Sequence, residues 1–460
     1  MINQKDNQRR VLLATSLSYV LVLLDTSIVN VALGSIDASV QASASGLQWV
    51  MNAYTLTFAC LLLTGGALGD RIGAKTLYLA GLVVFAAASL LCGLAPNRTL
   101  LIFARVLQGM GAALLVPCSL ILINLTYTDA NERASVIGNW VGFGGVAMAA
   151  GPLVGGVLIH LVGWRCIFWV NVPVALMGVW LIMRVRTATA AVGPIGHLDI
   201  KGQVLAITAL VTSLSVLIDS AELGWHSPWI ISAIIVAGLA WAMFVVTEKK
   251  SKDPMLPMEL FKNTVFSAGV FVTAVSALVF YGEFFLLSMY FQTLRGWTPL
   301  TTGLAFLPMT GCLAIGSFSS GALGHRYGSL HLVVGGFWLY VASFIGLYVV
   351  SVNGAYWHVA LCFLVLGFAA GVITPAVTAT VMNTIDRSRA GVAAGVLNAS
   401  RQAGSAMGVA IFGALLVDNS GANDGVDIAI GIAIGLSLLA SLCWIVARVR
   451  PVRRRAFPDR

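Results

Sequence analysis

Four charged residues stand inside long apolar runs of this chain: Asp25, Arg105, Glu283 and Arg401. A charge at the centre of a bilayer costs about 2.5 kcal/mol or more, so by default it is functional and faces a cavity or a partner. Depth follows from the helical rise. Asp25 lies about 12 Å from the outer end of its run, Arg105 about 9 Å and Glu283 about 10 Å from theirs. Asp25 and Arg105 therefore share a depth and can pair. Glu283 stands 258 residues after Asp25, whereas the residue 258 positions after Arg105 is Phe363. Desolvation disfavours the charge on a buried acid and a neighbouring arginine restores it. Asp25, Arg105 and Glu283 are the candidate proton-coupling residues; Asp25 has such a neighbour and Glu283 does not, so Glu283 is the better carrier for taking up and releasing a proton. The plainer alternatives are a structural ion pair for Asp25–Arg105 and a snorkelling acid at the outer interface for Glu283. For Arg401 the alternative is a role in helix packing, since Gln402, Gly404 and Gly408 surround it.

These residues must be positioned by membrane helices. The chain has 460 residues, of which 58% are hydrophobic and 10% charged, where soluble domains run near a quarter charged. Apolar runs long enough to cross about 30 Å of hydrocarbon are expected at 11–33, 48–69, 76–95, 99–122, 134–158, 165–185, 200–218, 228–247, 264–290, 300–323, 330–351, 356–380, 390–416 and 427–447. With fourteen spans both termini share one side. That side collects 22 lysines and arginines, and the opposite side only Arg98, Arg165 and Arg295. Positive charge marks the cytoplasmic face, so both termini are expected there, in a multi-pass protein of the inner (plasma) membrane. The basic N-terminus precedes a run too long for a signal peptide, and reads as a retained first span. The net charge of +9 belongs to these loops, and nucleic acid is not an expected partner.

The chain repeats itself. GALGDRIG at 66–73 returns as GALGHRYG at 321–328, a shift of 255, and LQGMGAALLVP ending at Pro117 returns as LVLGFAAGVITP ending at Pro375, a shift of 258. Parallel repeats are one architecture of secondary transporters, with the substrate site between the halves. The expected organisation is an all-α membrane protein of two six-helix bundles, residues 1–186 and 263–460, joined by a linker with two inserted transmembrane helices, 187–262.

The loop Gly66-Ala67-Leu68-Gly69-Asp70-Arg71-Ile72-Gly73-Ala74-Lys75 resembles the loop signature of the major facilitator superfamily. Further segments carry the likeness: LDTSIVNVAL from Leu24, RVLQGMG from Arg105, GFGG from Gly142, GPLVGG from Gly151 and WRCIFWVNVP from Trp164. Together they resemble the fourteen-span drug:proton antiporters, including methylenomycin- and antiseptic-resistance exporters, over nearly the whole chain. The resemblance implies a major facilitator fold and a gate latch at Gly66, Gly69, Asp70, Arg71 and Gly73, with Arg326 in the second copy. It also implies an antiporter helix motif at Gly142, Gly151, Pro152, Gly155 and Gly156, and an outward direction of transport. On physical grounds the small residues let helices pack backbone to backbone and Pro152 weakens its helix locally. Two departures stand out: His325 replaces an acid in the second loop copy, and Phe363 gives that half no counterpart of Arg105.

Other chemistry finds little support. The seven cysteines form no CxxC or Cys/His cluster, and there is no HExxH, GxSxG or paired histidine. Neither metal, cofactor nor enzymatic activity is expected. The Gly69–Thr76 string fails as a nucleotide loop, because Ala74 separates Gly73 from Lys75 and no strand precedes it. Asn30, Asn52, Tyr54, Trp140, Tyr281 and Arg401 are candidates to line a substrate cavity. The resulting expectation is a monomeric, proton-coupled antiporter, embedded in the lipid bilayer, that exports small amphipathic or cationic organic compounds by alternating access. A proton-coupled symporter or facilitator for a small metabolite is the alternative.

Overall fold

A computed structural model describes residues 4–40, 43–185, 199–251, 254, 256, 258–350, 355–385, 390–415 and 422–449, and among these no strand occurs. The first repeat copy comprises α1 (Gln4–Val40), α2 (Ala44–Ile72), α3 (Ala74–Leu94), α4 (Arg98–Thr126), α5 (Ala130–Leu161), a short α6 (Cys166–Trp169) and α7 (Asn171–Met183). Next come α8 (Ile200–Leu223) and α9 (Pro228–Lys250). The second copy comprises α10 (Thr264–Met289), α11 (Pro299–Ala305), α12 (Leu307–Tyr327), α13 (Ser329–Val350), α14 (Tyr356–Met382), α15 (Ala390–Ala414) and α16 (Ala422–Val449).

Thirteen segments among the described residues are long and apolar enough to cross a membrane. The expected fourteenth span is α15, a 25-residue helix whose Gly, Ala and Ser content, with Asn398, Arg401 and Gln402, holds its hydropathy down. It is sheltered by α10 and α2, on which it packs. Two expected spans are broken. The sixth divides into α6 and α7, with Pro173 in the first turn of α7, and the tenth into α11 and α12, with Pro308 in the first turn of α12. Proline lacks an N–H and fits a first turn better than a helix interior. The first helix begins before residue 11 and runs past residue 33.

Side-chain caps define several starts. Asn97 accepts from Leu100 N at 2.9 Å, Asp199 from Gly202 N at 2.8 Å and Asn263 from Val265 N at 2.9 Å, supplying acceptors for N–H groups that a helix start leaves open. The repeat is visible in the backbone. Gly73 and Gly328, the last residues of the two loop copies, turn with φ of 100° and 81°, a region glycine enters without steric cost. Pro117 and Pro375 stand at matching places inside α4 and α14.

One buried cluster draws its residues from 11–185 and the largest from 260–447. The inserted pair attaches through α8: Gln203 Nε2 donates to Cys60 O at 2.7 Å, Thr64 Oγ1 donates to Gln203 Oε1, and Trp49 Nε1 donates to Asp219 Oδ1 at 3.0 Å. α9 turns Trp229, Ile231, Ile235, Leu239 and Met243 outward, the surface of a helix that faces hydrocarbon. The face carrying Arg98, Arg165 and Arg295 is termed outer below.

Candidate functional site

Asp25 of α1 and Arg105 of α4 are both fully buried and form an ion pair through Oδ2 and Nη1. The pair is enclosed by polar side chains from four helices. Gln108 Nε2 donates to Asp25 Oδ1 at 2.7 Å and to Ser89 Oγ at 2.9 Å, while Asn171 Nδ2 donates to Asp25 Oδ1 at 3.0 Å. Arg105 also donates from Nη1 to Gln108 Oε1 at 2.7 Å and from Nε to Val50 O at 3.1 Å. Its guanidinium lies 4.4 Å from the centre of the Tyr54 ring. Both carboxylate oxygens are thus occupied, which offsets the desolvation of a buried charge. Gln108 stands three residues after Arg105, on the same helical face, and Asn171 lies within the WRCIFWVNVP segment. Those were the available signals for two partners that reading charges alone passed over; Ser89 carried none.

Glu283 of α10 is also fully buried, but neither of its carboxyl oxygens has a hydrogen-bond partner. It follows Ser276 by seven residues, two helical turns, and Ser276 hydrogen-bonds Tyr340 of α13 at 3.3 Å. Glu283 therefore occupies the stripe of α10 that looks into the second copy, away from the stripe at Ser288 and Gln292 that meets α1. A small cavity between the copies, of about 10 Å³, is lined by Ser27, Met148, Ala149, Phe280, Tyr281, Phe284, Thr310 and Leu313. Those residues come from α1, α5, α10 and α12, and none is an acid.

The α5 glycines form a double seam. A Cβ on Gly151 would land on Ser27 Oγ, and one on Gly155 would come within 2.7 Å of Ile28, both in α1. Facing the other copy, a Cβ on Gly156 would meet Leu300 Cα at 2.8 Å and one on Gly142 would meet Phe318 at 3.3 Å. Gly303 of α11 sits against the carbonyl of Pro152. A second contact joins the copies at equivalent positions. Ser288 Oγ donates to Asn30 O at 2.7 Å, Gln292 Nε2 donates to Ser288 Oγ at 3.0 Å, and Gln292 Oε1 accepts from Gly34 N at 3.2 Å. Each cross-copy bond spans 258 residues, the repeat offset itself, so α1 and α10 meet at the axis relating the copies. A family model described as Major Facilitator Superfamily matches residues 15–214, 201–409 and 314–459.

The chain belongs to the major facilitator superfamily. It is 37% identical over 411 residues to the Methylenomycin A resistance protein of Bacillus subtilis (strain 168), covering 88% of this chain and 87% of that one. The protein of the same name from Streptomyces coelicolor (strain ATCC BAA-471 / A3(2) / M145) is 34% identical, with 96% and 93% covered. The Tetracenomycin C resistance and export protein of Streptomyces glaucescens is 32% identical, with 89% and 76% covered. The fold matches a crystal structure of an auto-inhibited POT family peptide transporter with a TM-score of 0.69 at 14% identity, covering 98% of this chain and 99% of that one. The protein is accordingly a multi-span membrane transporter and not an enzyme.

In this facilitator the remaining candidates are distributed as follows. Tyr54 donates to Val22 O at 3.1 Å, and Trp140 donates to Thr15 O at 3.1 Å while stacking on Tyr19 at 3.8 Å. Both are packed inside the first copy. Asn30 and Asn52 are buried. Asn30 Nδ2 donates to Thr26 O at 3.4 Å, its Oδ1 has no partner, and neither amide atom of Asn52 has one. Tyr281 reaches the cavity and its hydroxyl contacts Met148 Sδ at 3.1 Å. Arg401 is half-buried, with Nη2 on Asn398 Oδ1 at 2.7 Å. In the loop signature, Gly69 abuts Cys118 and Ile121 of α4 and Gly66 abuts Pro117. Arg71 is half-buried, Arg326 is exposed with its guanidinium near the Tyr327 ring, and the Asp70 side chain lies outside the described residues. Among the described residues no disulfide joins the cysteines; Cys60, Cys92 and Cys118 are buried, the other four partly so. Met148, Phe280 and Phe284, which shape the cavity, were not legible as site residues. Their types are those of any membrane helix, and only packing turns them inward.

Proposed function

We propose that this transporter is a proton-coupled antiporter exporting small amphipathic organic compounds, cationic ones among them, by alternating access. The observation that carries the proton half is Glu283: a fully buried carboxyl without a partner, one residue from cavity-lining Phe284 on the same helix. An isolated buried carboxylate is far costlier than its neutral form, so gain and loss of a proton there alters the energy of the surrounding helices. The export half is supported by the relatives, which are named for antibiotic resistance and export. Residues 1–186 and 263–460 act as two bundles that rock along the α5 seam, with 187–262 as an inserted pair and both termini cytoplasmic. Asp25 and Arg105 hold α1 and α4 in register through the cycle, and the loop from Gly66 to Gly73 latches the cytoplasmic side.

The test is efflux from cells loaded with a substrate chosen from a growth-inhibition panel on an efflux-deficient host. A protonophore is expected to abolish export while cellular ATP is held constant. Loss of export on ATP depletion at a constant proton gradient overturns the reading.

A further inference from the structure

Three cations from three helix ends meet on the face where α1 begins. Lys75 Nζ of α3 donates to Val185 O at 2.6 Å, and Arg10 Nη1 of α1 reaches Arg184 O at 3.5 Å, both just past the end of α7. Arg184 itself is exposed, with its guanidinium 3.9 Å from the centre of the Trp180 ring. A helix C-terminus favours cations through its dipole and its open carbonyls, so capping accounts for the presence of Arg10 and Lys75. It leaves most of their donors unused, since an arginine has five N–H groups and a lysine ammonium three. Among the described residues none of the three forms an ion pair; the one salt bridge there joins Arg105 to Asp25.

The surface beneath these charges is apolar and open. α1 and α3 enter the membrane at this face, and α7 leaves it there. Leu13 follows Arg10 by three residues and Trp180 precedes Arg184 by four, so each lies about 5 Å deeper than its charge. Leu13 is 45% exposed, Trp180 52%, and Met177, nearly another turn down α7, 46%. A tryptophan at this depth is an interfacial residue. Positive groups above and an apolar wall one turn below fit a single kind of molecule, an anion that carries acyl chains. Basic residues are common on this face, as Lys249 and Lys250 at the end of α9 show. What sets this corner apart is the convergence of three helices on one point.

We propose that the corner formed by α1, α3 and α7 binds an anionic phospholipid. Arg10, Lys75 and Arg184 hold its phosphate, and its chains lie along Leu13, Trp180 and Met177. Basic pockets between helix ends at a membrane surface attract anionic head groups, and the guanidinium fork matches two phosphate oxygens. The bound phosphate ties together three helix ends of the first copy.

The test is native mass spectrometry of the full-length protein in detergent, titrated with dioleoylphosphatidylglycerol or dioleoylphosphatidylcholine. The wild type is expected to bind its first phosphatidylglycerol about tenfold more tightly than its first phosphatidylcholine. The triple variant Arg10→Gln, Lys75→Gln, Arg184→Gln is expected to bring the two within about twofold, with phosphatidylcholine affinity unchanged as the sign of an intact fold. Arg184→Gln alone removes no cap from α7 and is expected to lower the preference about threefold. Lys249→Gln with Lys250→Gln removes two exposed charges from the same face and is expected to leave the preference as it is. Equal wild-type affinities, a preference that survives the triple variant, or an equal loss in the Lys249 and Lys250 variant overturns the proposal. So does displacement of phosphatidylglycerol by millimolar inorganic phosphate, which marks a site for the free anion. The assay needs neither gradient nor substrate, so its outcome is independent of the antiport reading.

Discussion

Asp25 in α1 and Glu283 in α10 are related by the repeat, and their surroundings are opposite. Asp25 is met by Arg105, Gln108 and Asn171, with Ser89 behind them. Moving those positions by the repeat offset reaches Phe363 for Arg105, Leu366 for Gln108 and the apolar stretch 344–347 for Ser89. All but the partly exposed Ile345 and Gly346 among these are fully buried in the second core. Phe363 stacks on Phe306 at 5.5 Å, and Phe306 meets Phe284 edge-on at 4.5 Å. An aromatic cluster stands where the first copy has its polar nest. The difference teaches a division of labour. A carboxylate with both oxygens hydrogen-bonded ties helices together, whereas a buried carboxyl without partners at the equivalent position does not.

Removing the nest should show the largest effect. Arg105→Ala strands the Asp25 carboxylate, and loss of one partner of a buried pair costs roughly 3–5 kcal/mol. Thermal unfolding in detergent is expected to show that loss, and Glu283→Gln, which mimics the neutral acid, is expected to change stability by less than about 1 kcal/mol. Equal destabilisation by the two variants would break the comparison.

Next in size is the effect of Glu283→Gln on transport. Proton-driven efflux is expected to fall at least about tenfold, roughly 1.4 kcal/mol or more of lost coupling, with the protein still folded in the membrane. Wild-type efflux from a well-expressed variant would assign the proton to the first copy instead.

The smallest effect concerns the axis. Gln292 and Ser288 satisfy Gly34 N and Asn30 O, two groups that within α1 could bond each other. Gln292→Ala therefore removes about 1 kcal/mol, and is expected to raise the outward-open population about fivefold. Spin labels at Ser39→Cys and Thr301→Cys, both exposed near the outer end, in a cysteine-free background report it as a longer distance. An unchanged distance distribution would mean that the α5 seam alone holds the copies closed.

Much of the architecture could be read directly, because membrane spans are long apolar runs and a two-copy chain repeats its glycines and prolines. The loop glycines at 73 and 328 and the prolines at 117 and 375 sit in matching backbone positions for that reason. α15 was legible as a span although its hydropathy is low, since the neighbouring copy had already supplied the pattern. The breaks at Val170 and Phe306 were harder: Pro173 and Pro308 warn of them, but a proline kinks some helices and divides others, depending on what packs against the freed carbonyls.

By itself the sequence determined that Asp25, Arg105, Glu283 and Arg401 lie within apolar runs, and that Asp25 and Arg105 share a depth. Depth follows from one-dimensional spacing. Direction does not, because it depends on how each helix is rotated against its neighbours. Only the tertiary structure decided that Asp25 is enclosed by amides from α4 and α7, and that Glu283 looks into the second core. The same packing leaves Arg401 half-buried, with Nη2 on Asn398 Oδ1. Rotation about a helix axis is fixed by the sum of many small contacts, Gly404 and Gly408 on α10 or Gly151 and Gly155 on α1, and no single residue type announces it.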